Sequence, residues 1–147
     1  FNVSGSLGPD ISWLDPGTNP VPTTLNFKDG ASFGNSNMFF ELRTSSNPVN
    51  VGFELGGSGF TTLVAGQLWD STSGDGWSSV NFTVNTSAYD RTNGNQSIVL
   101  MDFSAVSNAI LDTFNPASVV IVDGDTGTSG TLRWDAVEKQ LIFDLTT

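Results

Sequence analysis

The sequence predicts an all-β protein built as a two-sheet sandwich or jelly-roll-like barrel, and three observations lead to this prediction. Short runs alternate apolar and polar side chains, as in residues 80–84, which is the pattern of a strand with one buried face. Clusters of Gly, Asn, Asp and Pro separate these runs, as turns require. Many short strands with such spacing are typical of sandwiches and barrels.

The first predicted strand lies at the amino terminus. Phe1, Val3 and Leu7 fall on one face of an extended segment, and Gly5 interrupts the apolar row. A terminal strand frays unless it is held by a sheet, so we expect residues 1–8 to pair with their own sheet or with another subunit. The later strands are predicted at residues 24–27, 38–43, 49–55, 80–84, 97–103, 118–122, 131–134 and 140–145.

One short helix is predicted over residues 104–114. Phe103, Val106, Ile110 and Phe114 recur at steps of three and four residues, and Pro116 would end the helix. No internal repeat or interdomain linker is evident. We therefore expect an amino-terminal extension of residues 1–8 followed by one β-sandwich domain of residues 9–147.

Composition excludes several classes of function. The 147 residues include no Cys and no His, five Lys and Arg, and fifteen Asp and Glu, for a formal charge of −10. Nucleic acid binding needs clustered cations, so it is not expected, nor is attraction to an anionic membrane. No apolar run is long enough to span a membrane. Without His, Cys or a nucleophile motif, we expect neither an enzyme nor a cofactor.

The low charged fraction of 14% points to the compartment. Ser, Thr, Asn and Gly supply the polarity of the chain instead of charged residues, as is common in extracellular proteins. We therefore expect an exported protein whose signal peptide has been removed.

Two further motifs have competing interpretations. Trp69 and Trp77 flank a Gly/Ser/Asp loop and are candidates for a platform on which sugar rings stack, although core or rim packing is the commoner role of tryptophan. Asp123 and Asp125 resemble the start of a calcium loop. The position where such a loop places its bidentate Glu is Trp134, so a solvated hairpin loop is the favoured interpretation and no metal site is predicted.

The amino terminus resembles the mature amino terminus of class 5 (alpha-type) chaperone–usher pilins, the colonisation-factor family. Those chains begin with an alternating strand, a small residue, a Pro and then an Ile/Leu segment. The resemblance lies mainly in residues 1–27. The matching positions here are Phe1, Val3, Gly5, Leu7, Pro9, Ile11 and Leu14, followed by Asn19, Pro22, Leu25 and Phe27.

The resemblance implies an incomplete immunoglobulin-like sandwich that a neighbour's amino-terminal donor strand completes. Phe1, Val3 and Leu7 would then fill an apolar groove, and Gly5 would lie over its narrowest part. The implied protein is a structural subunit of an extracellular, cell-surface filament that supports adhesion. Its implied partners are further copies of itself and a periplasmic chaperone.

Two other functions remain as alternatives. A carbohydrate-binding module of a secreted protein would keep residues 1–8 in its own sheet and expose coplanar tryptophans. A glycoside-active enzyme would bring two carboxylates into one cleft. A filament subunit would instead extend its amino-terminal strand to a neighbour. The position of residues 1–8 is therefore the observation that discriminates most sharply between these functions.

Overall fold

A computed structural model describes residues 2–3, 6–7, 13–14, 24–27, 32–42, 49–56, 62–70, 80–105, 116, 118–124 and 126–147 of the chain. These residues form twelve strands and a 3-10 helix at Arg91–Asn93. The strands are β1 (Asn2–Val3), β2 (Ser6–Leu7), β3 (Trp13–Leu14), β4 (Thr24–Phe27), β5 (Ser32–Leu42), β6 (Val49–Glu54), β7 (Thr62–Asp70), β8 (Val80–Asn85), β9 (Gln96–Asp102), β10 (Ser118–Val122), β11 (Ser129–Asp135) and β12 (Gln140–Thr146).

The strands lie in two sheets. The first sheet has five strands in the order β1-β4-β6-β8-β10. The second has seven, with β11-β12-β9-β7-β5-β2 in order and β3 also beside β5. The prediction of an all-β, two-sheet architecture is thus confirmed.

The predicted elements differ from the observed ones in several places. Strand β3 was not predicted, and the single strand predicted within residues 1–8 is two strands, β1 and β2, in different sheets. The predicted strand at residues 38–43 is the second half of the longer β5, and β7 was not predicted because its sequence lacks strict alternation. The predicted helix begins at Ser104 and Ala105, which form a turn, and its remaining residues lie outside the described part of the chain. Residues 1–8 are described only at β1 and β2, so the division into extension and domain stays a prediction.

Most strand pairs are parallel, which distinguishes this sandwich from immunoglobulin and jelly-roll sandwiches, whose sheets are antiparallel. Every pairing in the first sheet is parallel. Successive strands alternate between the sheets from β4 to β10, so the chain completes a circuit before it returns to the same sheet in the same direction. Among the described strands, antiparallel pairing is confined to β12, which lies between β9 and β11.

The core lies between the sheets and is built from residues at matching register positions. In the first sheet Val51 lies opposite Phe82, and Phe53 lies opposite Phe27 and Val84. These side chains are buried, and the rings of Phe27 and Phe53 stack with centroids 5.2 Å apart and planes 11° from parallel. The second sheet contributes Ile98, Leu100, Met101, Leu141, Phe143 and Leu145.

Polar side chains link strands across the other face of the first sheet. The Asn81 side-chain amide Nδ2 donates to Asn50 Oδ1 at 3.0 Å, and Ser118 Oγ donates to Asn81 Oδ1 at 2.8 Å. These three residues lie opposite one another on β6, β8 and β10. The register of the three strands places these side chains next to one another on one face, within hydrogen-bonding distance.

Candidate functional site

The two strands of the amino-terminal segment lie at the edges of the two sheets. Asn2–Val3 pairs in parallel with Asn26–Phe27 at one end of the first sheet, and Ser6–Leu7 pairs with Ser32–Phe33 in the second sheet. Each strand is only two residues long. Val3 lies opposite Phe27 and Leu7 opposite Phe33, whereas Phe1 and Gly5 lie outside the described residues.

The opposite end of the first sheet is formed by β10, and it is both apolar and exposed. The side chains of Val119, Val120 and Val122 are 40%, 50% and 40% exposed. Strand β10 carries no charged residue, and no described strand pairs with its outer edge. An uncharged, apolar edge strand is a template for pairing with another strand.

The exposure of Val119 shows that the end of the core beside β10 is accessible to solvent. By register it continues the core-facing row of Val51 and Phe82, which are 1% and 0% exposed. Val119 occupies an equivalent position and is nevertheless 40% exposed, because it is the last residue of the row. Stacked β architectures require a polar cap at such an end.

A buried hydroxyl cluster holds the carboxyl end of β10 in place. The Thr86 backbone N–H donates to the Val122 carbonyl at 2.7 Å, and the buried Thr86 and Thr128 hydroxyls are hydrogen-bonded to each other. The Thr126 and Thr128 hydroxyls are 2.9 Å apart. The edge is therefore a well-supported strand, and none of the described strands pairs with its outward side.

The outermost strand of the second sheet contrasts with β10. On β11, Arg133 Nε donates to Asp144 Oδ2 at 2.6 Å, and its Nη1 lies 3.7 Å from Asp135 Oδ2. Ser97 Oγ donates to the other oxygen of Asp144. Charged side chains on an edge strand discourage pairing with further chains. Strands β10 and β11 each form one end of a sheet, and of these two only β10 carries no charged side chain.

Hydrogen bonds from Arg133, and then from Ser97, hold the pKa of Asp144 below its usual value. Because the folded pKa lies below the unfolded one, the stabilisation is present above the unfolded pKa and lost as pH falls through the folded pKa. We expect Asp144→Asn to reduce the loss of stability on acidification as the pH falls below the unfolded Asp pKa of about 3.9. The difference should be small, about 0.2–1 kcal/mol, because the pair is solvent-exposed.

Urea unfolding at several pH values measures this effect. Glu138→Gln is the matched control, since it removes one negative charge from the same hairpin without touching the Arg133 and Ser97 contacts. If Asp144→Asn and Glu138→Gln changed the acid dependence equally, the specific contribution of the Asp144 contacts would be refuted.

The candidate sugar platform is only partly described. Trp69 lies in β7 opposite Glu41, and Trp77 lies outside the described residues. The proposed pairing of their rings therefore stays a prediction. Trp134, by contrast, packs against the core, with its ring centroid 6.3 Å from that of Phe103.

The candidate calcium loop includes a local turn. The Asp123 carbonyl accepts hydrogen bonds from the Thr126 backbone N–H at 3.1 Å and from Thr126 Oγ1 at 2.7 Å. Gly124 permits the turn with a φ of +57°. Asp125 lies outside the described residues, and within the described part no three possible metal-ligating side chains cluster.

The described part of the chain also contains shallow surface hollows. Three of them have volumes of about 150, 280 and 100 Å³. Ligand pockets usually enclose roughly 300–1,000 Å³.

The described residues include no helix long and apolar enough to cross a membrane.

The sequence prediction placed a strand at β10 but did not identify it as a candidate site. A signal was present, because Val119, Val120, Ile121 and Val122 form an apolar run without polar alternation or charge. Such a run is equally typical of a strand buried on both faces. Only the strand order shows that β10 is the last strand of its sheet.

Comparison of the chain with family models, curated proteins and solved structures found no significant match.

Proposed function

We propose that this chain is a structural, non-enzymatic subunit of an extracellular filament that supports surface adhesion and polymerises by exchange of its amino-terminal strand. The observation that carries the proposal is the position of β1 and β2, which are two-residue edge strands on the two sheets. Two-residue strands at a sheet edge are held by few interactions. A neighbour's strand can replace them with the same hydrogen bonds.

Exchange preserves the apolar register of the first sheet. Val3 occupies the row that continues through Phe27 and Phe53, so a donated strand would bring its own valine to the same row. Exchange of an identical element between copies is a low-cost route to assembly, and a non-closing arrangement of copies yields a fibre. A periplasmic chaperone that occupies the β4 edge before assembly belongs to the same proposal.

A carbohydrate-binding module is the second candidate, because one observation favours it. In the single chain, β1 and β2 pair with the chain's own β4 and β5, which is the arrangement expected of a self-contained module. The two functions differ in whether the same pairing forms between copies, so a test must distinguish pairing within a chain from pairing between chains.

Cysteine cross-linking provides this test, because the chain has no cysteine of its own. Asn2 lies opposite Asn26, and Cα atoms of neighbouring strands are within the range that a disulfide bridges. We expect an oxidised mixture of the Asn2→Cys and Asn26→Cys single variants to form mixed interchain disulfides in polymers visible by electron microscopy.

Val3→Asp should raise the concentration needed for assembly at least about tenfold, because it places a charge in the apolar row. Ser4→Asp is the matched control, because it adds the same charge at the next residue, where the sequence already has a polar side chain, and it should assemble like the wild type. The proposal fails if the wild type is monomeric and the Asn2→Cys/Asn26→Cys double variant cross-links only within one chain. Glycan binding that is lost on Trp77→Ala would then favour the module.

A further inference from the structure

We propose that the outer edge of β10 is an assembly surface that receives the β1 edge of a second copy of this chain. The first sheet would then continue from one copy to the next. This inference rests on the proposed self-assembly and adds the surface through which the copies stack. It holds whether the receiving copy's first strand is its own or a donated one.

Strand polarity supports a second copy as the occupant. All five strands of the first sheet run in the same direction, and β1 and β10 form its two ends. A copy displaced along the sheet without reversal therefore places its β1 beside β10 in the parallel orientation that the whole sheet already uses. The two ends differ, so the contact is head-to-tail and can repeat without closing.

The register rows specify how the two copies would align. Asn2 begins a row that runs through Asn26, Gly52 and Thr83 and ends at Val120. Val3 begins the adjacent, core-facing row, which ends at Ile121. Continuing the rows places Asn2 of the second copy beside Val120, and Val3 beside Ile121.

Charge distribution favours the same contact. The chain carries a formal charge of −10, so copies repel one another at long range. Neither Asn2–Val3 nor Ser118–Val122 includes a charged residue, whereas β11 at the corresponding end of the second sheet carries Arg133 and Asp135. Contact through the uncharged edges therefore brings no charged side chain of either strand against another. Added salt should therefore strengthen the association by screening the remaining repulsion.

Val120→Lys tests the surface in the full chain. The Val120 side chain is 50% exposed, so the monomer should tolerate lysine, while a charge on the pairing edge should raise the concentration for half-assembly at least about tenfold. Thr131→Lys, an exposed position on the already charged β11, is the matched control and should assemble like the wild type. Circular dichroism establishes that both variants are folded, and sedimentation velocity measures their assembly.

Cross-linking separates this inference from strand exchange. A mixture of the Asn2→Cys and Val120→Cys single variants should form interchain disulfides in the assembled state. If these form while Asn2→Cys with Asn26→Cys cross-links only within a chain, stacking is supported and strand exchange is refuted. Stacking itself is overturned if Val120→Lys assembles like the wild type, if Asn2 and Val120 do not cross-link in polymers, or if the wild type never associates.

Discussion

Replacing Phe53 by alanine is expected to lower the free energy of unfolding by about 3–5 kcal/mol, the range measured for removing a buried phenylalanine side chain. Phe53 is 1% exposed, stacks on Phe27 and lies opposite Val84. Removal of the ring leaves a cavity in the core, between Phe27 on β4 and Val84 on β8. Closing this cavity would require β4 and β8 to move out of their register with β6, because the core is closely packed.

Urea unfolding measures the loss, with the slope of the transition showing whether the unfolded state has changed. Phe53→Leu retains most of the apolar volume and should lose less than Phe53→Ala. Thr83→Ala, on the opposite face of the neighbouring strand, is a control for mutation outside the core. A loss of less than about 1 kcal/mol for Phe53→Ala would show that the Phe27–Phe53 stack is not part of the stable core.

Gly130→Ala is the second substitution with a large expected effect. A Cβ atom at Gly130 would overlap the ring of Phe143 and lie 2.7 Å from the Asp144 carbonyl oxygen. Phe143 is fully buried and therefore cannot swing away into solvent. We expect a loss of about 1–3 kcal/mol from overpacking, measured by thermal and urea unfolding.

A double variant tests the cause of this loss. Phe143→Leu removes the ring that the new Cβ would meet, so Gly130→Ala should cost less in the Phe143→Leu background than in the wild type. Thr131→Ala, at the neighbouring exposed position, should change stability by less than about 0.5 kcal/mol. Equal effects of Gly130→Ala in both backgrounds would show that the ring is not what excludes a side chain there.

These substitutions also bear on assembly. Phe53 lies in the row that begins at Val3 and ends at Ile121, so it lies between the two edges that we propose as assembly surfaces. Gly130 lies on β11, the edge strand of the second sheet that pairs with β12. Loss of folded protein would therefore reduce assembly indirectly. Val120→Lys and Val3→Asp, in contrast, alter an edge strand rather than the central core.

Much of the strand content was predictable from local patterns. The alternation of Val80, Phe82 and Val84 predicts a strand with one buried face, and the structure buries these three residues. Strand β7 was missed because its apolar residues are adjacent to one another instead of alternating. The candidate site was not predicted, since an exposed edge strand and a doubly buried one share the same apolar run.

Local patterns in the sequence were enough to predict a protein built from strands and to assign Val51, Phe53, Phe82 and Val84 to core-facing sides. The direction of strand pairing is visible only in the folded chain, because alternation along a strand is the same in parallel and antiparallel sheets. The strand order likewise decided that Val119 is exposed while Phe82 is buried in the same row. Burial at a sheet edge depends on whether another strand follows, and local sequence does not encode that neighbour.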